Sequence, residues 1–156
     1  MGRPLSSVSW LASVSWLGTA AMLFFVVGCG GKPATVTGTV TIDGSSLQQG
    51  QISFTPTGGG MRASAIIQND GSYEIRTNRD FGLEIGEYAV AVVSREIIKP
   101  SSGGPPMPGK YLAPRKYGRT KTSGLKYTVE KGSNEIDIDL SGEGLDEDNK
   151  RLGKRR

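Results

Sequence analysis

The sequence predicts an all-β domain, a sandwich or barrel of seven short strands, behind an N-terminal signal segment. Three observations carry that expectation. Apolar and polar residues alternate with a period of two in several short runs. Turn signals such as Asp43-Gly44 and Asn69-Asp70-Gly71 separate those runs. No segment sustains the period of an amphipathic helix.

The first element is the signal, residues 1–28. No charged residue lies between Arg3 and Lys32, and the most continuous apolar run, 17–27, is 11 residues long. That suits the apolar region of a cleaved signal and is short of the ~20 residues that span a bilayer. Residues 29–34 form a tether.

The domain proper is expected over 35–140. Val36, Gly38, Val40 and Ile42 alternate with Thr35, Thr37, Thr39 and Thr41, giving the first strand an inner and an outer face. Residues 51–55 turn Ile52 and Phe54 to one side before Pro56 and Gly58-Gly59-Gly60 end the run. Residues 62–68 form a third strand, and 73–77 return with Tyr73, Ile75 and Thr77 on one face. The run 87–94 is apolar at nearly every position from Tyr88 to Val93, as in a strand covered on both faces. Residues 125–130 point Leu125, Tyr127 and Val129 inward, and 134–140 point Ile136, Ile138 and Leu140 inward. Two regions stand apart. Residues 99–121 make a long Pro- and Gly-rich connection, of the length that tends to carry function. The tail, 141–156, is nearly free of apolar residues, runs from acidic to basic, and is expected to be disordered.

Composition excludes whole classes of chemistry. The chain has no histidine, which removes the commonest general base and transition-metal ligand, so no enzyme activity, cofactor or metal is expected. The net charge of +4 is modest and argues against a nucleic-acid partner. Cys29 is the single cysteine and has no disulfide partner within the chain. The sequence Val26-Val27-Gly28-Cys29 places two aliphatics and a small residue before that thiol. It resembles the lipobox of bacterial lipoproteins. The resemblance implies cleavage before Cys29, a diacylglyceryl group on its sulfur, and acylation, palmitate included, that anchors the protein in the cell envelope. Several acyl chains meet the two-signal requirement for stable anchoring. An uncleaved membrane anchor and a plain secretory signal with a free thiol are the alternatives. Gly30 after the cysteine, in place of Asp, resembles the outer-membrane default of the sorting rule in diderm bacteria.

Four clusters are candidates for chemistry. Tyr111, Arg115, Lys116, Tyr117 and Arg119, with Lys121, gather cations and rings in the long connection. Arginines pair with phosphate or carboxylate and tyrosines stack on sugars, so this is the best candidate ligand surface, against the alternative of a solvated loop. Asp137 and Asp139, with Glu135 beside them, could bind calcium or act as an acid–base pair, or could be the charged face of an edge strand. Asn69, Asp70 and Ser72 offer oxygens for calcium but satisfy turn chemistry fully. The basic end, 150–156, could meet anionic headgroups or simply aid solubility.

Val36-Thr37-Gly38-Thr39-Val40, then Asp43-Gly44, Leu47 and Gly50-Gln51-Ile52-Ser53-Phe54-Thr55-Pro56, form an opening that resembles carboxypeptidase-regulatory-like domains. Asn69-Asp70-Gly71-Ser72-Tyr73 is similar to their D-G-x-Y hairpin. Ile85-Gly86-Glu87-Tyr88-Ala89-Val90 resembles their P-G-x-Y-x-V strand, with Ile85 in the place of proline. The later pieces, such as Gly132-Ser133-Asn134-Glu135-Ile136, look like short lipoproteins of planctomycete-type bacteria. The resemblance spans 35–140 and implies a seven-stranded, Greek-key-like prealbumin sandwich without a peptidase site. Hydroxyisourate hydrolases share that sandwich but rely on histidines and a Tyr-Arg-Gly-Ser ending, both lacking here. The expected function is that of a non-enzymatic, lipid-anchored envelope module that meets the membrane through Cys29 and a protein or polysaccharide partner elsewhere. The alternative is a carbohydrate- or anion-binding module using the basic connection 99–121.

Overall fold

The computed structural model describes residues 34–77 and 80–154. In chain order these form β1 (Ala34–Ile42), β2 (Ser45–Ser46), β3 (Gly50–Pro56), β4 (Ala63–Ile67), β5 (Ser72–Glu74), β6 (Arg76–Thr77), β7 (Asp80–Phe81), β8 (Gly86–Val93), β9 (Arg95–Ile98) and β10 (Met107–Tyr111). A 3-10 turn (Arg115–Gly118) and a short helix α1 (Thr120–Ser123) follow. Then come β11 (Leu125–Val129), β12 (Gly132–Glu135), β13 (Ile138–Leu140) and a helix α2 (Leu145–Gly153).

The fold is an all-β sandwich, as the periodicity predicts. One sheet is built on β1, which pairs in parallel with β12 and β13 and antiparallel with β5 and β2. The other runs β11-β8-β3-β4-β6-β7, and β9 and β10 make a separate pair. The inner faces meet in one core. Val36, Val40, Tyr73, Ile138 and Leu140 come from the first sheet, and Ile52, Phe54, Tyr88, Val90 and Val92 from the second. The ring of Phe54 sits 6.2 Å from that of Tyr73 and 6.1 Å, edge on, from that of Tyr88. Each large apolar side chain buried in this way contributes ~1.5–3 kcal/mol. Both tyrosine hydroxyls find acceptors at the core margin, Tyr73 on the Ile136 carbonyl at 2.6 Å and Tyr88 on that of Glu84 at 2.9 Å. Burial pushes the Tyr73 hydroxyl well above the ordinary tyrosine pKa, so it stays a proton donor.

The strands number more than seven because two of the expected strands divide and four short ones join them. The strand expected at 73–77 changes partner at Ile75: β5 pairs with β1, whereas β6 pairs with β4 and β7. The strand expected at 134–140 divides where it passes Gly38. A Cβ on Gly38 would lie 2.0 Å from the Ile136 oxygen, so only glycine allows this approach. The register is the same on either side, with Ala34 opposite Gly132 and Val40 opposite Ile138. Across the interruption the Asp137 carboxylate accepts from the Thr39 amide at 2.8 Å and from its hydroxyl at 2.7 Å. A side chain thus replaces the missing backbone acceptor.

The tail departs from the disorder expected for 141–156. Helix α2 forms with Asp146, Glu147 and Asp148 in its first turn and Lys150 and Arg151 in its last, an order that suits the helix dipole. It is held by polar contacts. Asn149 accepts from the Tyr111 amide at 2.7 Å and donates to the Tyr111 carbonyl at 3.0 Å, and Asp148 accepts from the Arg115 amide at 2.8 Å. No helix among the described residues is long and apolar enough to cross a membrane.

Candidate functional site

Cys29 lies outside the described residues, but the point where its tether enters the domain is defined. Ala34 opens β1, exchanges backbone hydrogen bonds with Leu83 at 3.2 and 2.7 Å, and lies opposite Gly132. The loops at this end carry two exposed apolar side chains, Met61 and Ile85. Strand β1 then runs nine residues, about 26 Å at the usual rise, to the opposite end. There Asp43 meets Leu140 and Gly142, and Tyr117 meets Ser141. The tether and the basic connection therefore occupy opposite ends of the sandwich.

The connection 99–121 is more structured than its composition indicates. Its second half holds β10, the 3-10 turn and α1, and β10 pairs with β9 around a bulge between Pro108 and Tyr111. The Arg95 guanidinium donates to the Gly109 carbonyl from Nε at 3.2 Å and Nη2 at 2.8 Å. It also lies over the Tyr111 ring, 4.4 Å from the centroid.

Three of the five candidate ligand residues, Tyr111, Arg115 and Arg119, line one depression of about 210 Å³, and Lys116 and Tyr117 do not. Tyr111 is half-buried between Arg95 and Arg115, with the Arg115 guanidinium 5.7 Å from its ring centroid. Arg115 is exposed. Lys116 lies 5.0 Å from the Tyr117 ring centroid and 4.0 Å from the Glu143 carboxylate. Tyr117 belongs to the core, only 8% exposed, and its hydroxyl accepts from the Ser141 amide at 3.1 Å. It is therefore closed to a stacking sugar. Arg119 is exposed and lines both that depression and the outer face of the six-stranded sheet.

The acidic candidates serve the fold. Asp137 bridges the interruption opposite Gly38, and its hydrogen bonds from Thr39 hold its carboxyl below the ordinary aspartate pKa. Asp139 accepts from the Thr41 hydroxyl at 2.7 Å. Asp139 stands on β13, which flanks β1, where charge discourages strand addition. The Asp70 carboxylate accepts from the Ser72 amide at 2.9 Å, closing the turn, and those bonds to Ser72 lower its pKa. No group of three or more acidic, histidine or cysteine side chains able to hold a metal ion occurs among the described residues.

A trough that sequence reasoning missed lies on the outer face of the six-stranded sheet. Its floor is set by register: Ala91, Ser53 and Ser64 sit side by side on β8, β3 and β4, with Val93 and Gln51 in the next row. These small residues leave a depression of about 530 Å³. Arg62 stands before β4 on one side, and Gly118, Arg119, Thr120 and Lys121 line the other. No carboxylate lines it, and the side chains of Arg62, Arg119 and Lys121 make no ion pair or hydrogen bond with the described residues. Alternation makes Gln51, Ser53 and Thr55 legible as outward-facing. Which cations reach them depends on strand order and on the path of 115–121, neither of which periodicity encodes.

No family model matches the chain, and no curated protein matches it. Among solved structures, a DUF3823 family protein from Parabacteroides merdae is similar at 16% identity with a TM-score of 0.39, over 72% of this chain and 48% of that one. A 9R-lipoxygenase from Cyanothece is similar at 12% identity with a TM-score of 0.30, over 69% of this chain and 15% of that one. The chain thus spans less than half the length of either protein.

Proposed function

We propose that this chain is a non-enzymatic, lipid-anchored lipoprotein of the bacterial envelope that holds an interaction module away from the membrane. In this reading residues 1–28 are a signal peptide and Cys29 carries the lipid. The carboxypeptidase-regulatory-like resemblance belongs to the same reading, with the outer membrane as the site of anchoring. The observation that carries it is the polarity of the sandwich. The tether enters beside Leu83 and Ile85, while Tyr111, Arg115 and Lys116 lie at the far end of β1 and β8. An acyl anchor at Cys29 leaves only four residues, 30–33, before the first strand, so the loops at 57–61 and 83–86 lie next to the headgroups and the basic end faces outward.

Photo-reactive residues placed singly at Ile85 and Lys116 test this arrangement in intact cells. Ile85 is exposed at the tether end and is expected to capture lipid. Lys116 is expected to capture a protein or polymer of the envelope. Equal lipid capture at both positions would overturn the arrangement. The alternative role, binding of carbohydrate or anions, is favoured by one observation: the cations of the trough, which make no ion pair with the described residues.

A further inference from the structure

We infer that the outer-face trough is a binding site for an acidic polysaccharide, a hydroxyl-rich chain that carries carboxylates or sulfates at intervals. The inference rests on the binding role just proposed and not on the anchor at Cys29. Three features of the trough select this ligand.

The first is charge. Arg62 stands on one side and Arg119 and Lys121 on the other, no acid lines the space, and none of the three is neutralised by a partner among the described residues. A cleft of one sign on a low-dielectric floor concentrates the opposite charge. Guanidinium groups also match carboxylate and sulfate in geometry.

The second is the floor. Ser53, Ser64 and Thr55 present hydroxyls and Gln51 an amide, neutral groups that exchange hydrogen bonds with sugar hydroxyls in either direction. Ala91 and Val93 add a flat apolar strip beside them. With small side chains at these positions, the floor is shallow and continuous across three strands, about 10 Å at the usual spacing. An extended chain can lie along it, with cations on either flank.

The third is what the floor withholds from a peptide. Extended peptides bind sheets through a free strand edge, with alternate side chains in pockets. Here β3 is paired on both sides, by β4 and β8, so its backbone groups are spent and only side chains face the trough. Recognition must then run through hydroxyls, one amide and three cations.

The test uses the full chain purified in detergent and isothermal titration calorimetry with three probes at low salt: a hexamer of galacturonate, a neutral galactose hexamer and inorganic sulfate. The acidic hexamer is expected to bind, with affinity falling steeply as salt rises. The double variant Arg119→Ala/Lys121→Ala and the single variant Arg62→Gln are each expected to weaken it at least tenfold. Lys131→Ala, an exposed cation in the turn between β11 and β12 that does not line the trough, should leave it unchanged, and circular dichroism checks that all variants are folded. Equal binding of the neutral hexamer would keep a carbohydrate module but overturn the acidic class. Sulfate binding as tightly as the hexamer would overturn a polymer site. Unchanged affinity in the folded Arg119/Lys121 and Arg62 variants, or no binding of the acidic hexamer at all, would overturn the site itself.

Discussion

Replacing Gly38 by alanine tests the geometry that joins the last strands to the first. The new Cβ would lie 2.0 Å from the Ile136 oxygen and 2.6 Å from its carbonyl carbon, both backbone atoms that cannot rotate away. The segment linking β12 to β13 must therefore move, and four hydrogen bonds depend on its position. They are Ile136 N–H to the Thr37 carbonyl at 2.8 Å, the Tyr73 hydroxyl to the Ile136 carbonyl at 2.6 Å, and the two bonds from Thr39 to Asp137. At about 1 kcal/mol net for each, with part recovered by relaxation, the loss is ~3 kcal/mol. For a domain of this size that corresponds to a fall in Tm of roughly 12 °C. The assay is thermal and urea unfolding of Gly38→Ala beside Gly58→Ala, where an added Cβ meets nothing within 4 Å. The control is expected to stay within about 0.5 kcal/mol of the parent. A Gly38→Ala midpoint as close to the parent as the control's would refute the reasoning, since it would mean the strand link yields freely.

Two further outcomes follow from the same contacts. The folded Asp137 carboxyl is held below its usual value by Thr39, so its contribution to stability is present above the unfolded aspartate range near 3.8 and is lost as pH falls through the folded value. Asp137→Asn keeps an acceptor for Thr39 but removes the titration, so its stability should fall less steeply than the parent's below pH 4, and superimposable acid-unfolding curves would contradict that role. Asn149→Ala removes both side-chain bonds to Tyr111, and hydrogen exchange in α2 is expected to rise by tenfold or more while β3 and β8 stay protected; unchanged protection of α2 would show that Leu145 and Leu152 hold the helix without them.

All seven expected strands are present, because a sandwich writes its inner face directly into a period of two. Val36, Val40, Ile52, Phe54, Ile138 and Leu140 were legible in this way, and all are buried. The division at Gly38 was not, because glycine in an alternating run marks an inner position without showing that a distant carbonyl fills its space. Helix α2 escaped for a different reason. It has only two half-buried leucines, and its docking depends on Asn149 and Asp148 meeting backbone groups more than thirty residues away. The candidate site was legible in part. Arg119 and Lys121 stand out by composition, but Tyr117 read as a surface ring because an amphipathic side chain with its tip on Ser141 leaves no sequence mark of burial. The trough needed the register of three strands before its small floor and flanking cations could be seen together.

The claim on which the proposed role depends is attachment through Cys29. Growing the producing bacterium with radiolabelled palmitate and isolating the chain tests it most directly, with the mature N-terminus read by mass spectrometry. The account predicts label on the parent chain, an acylated N-terminus at Cys29, and no label on Cys29→Ala. Label that persists in that variant, or an N-terminus elsewhere in an unlabelled parent, would contradict it.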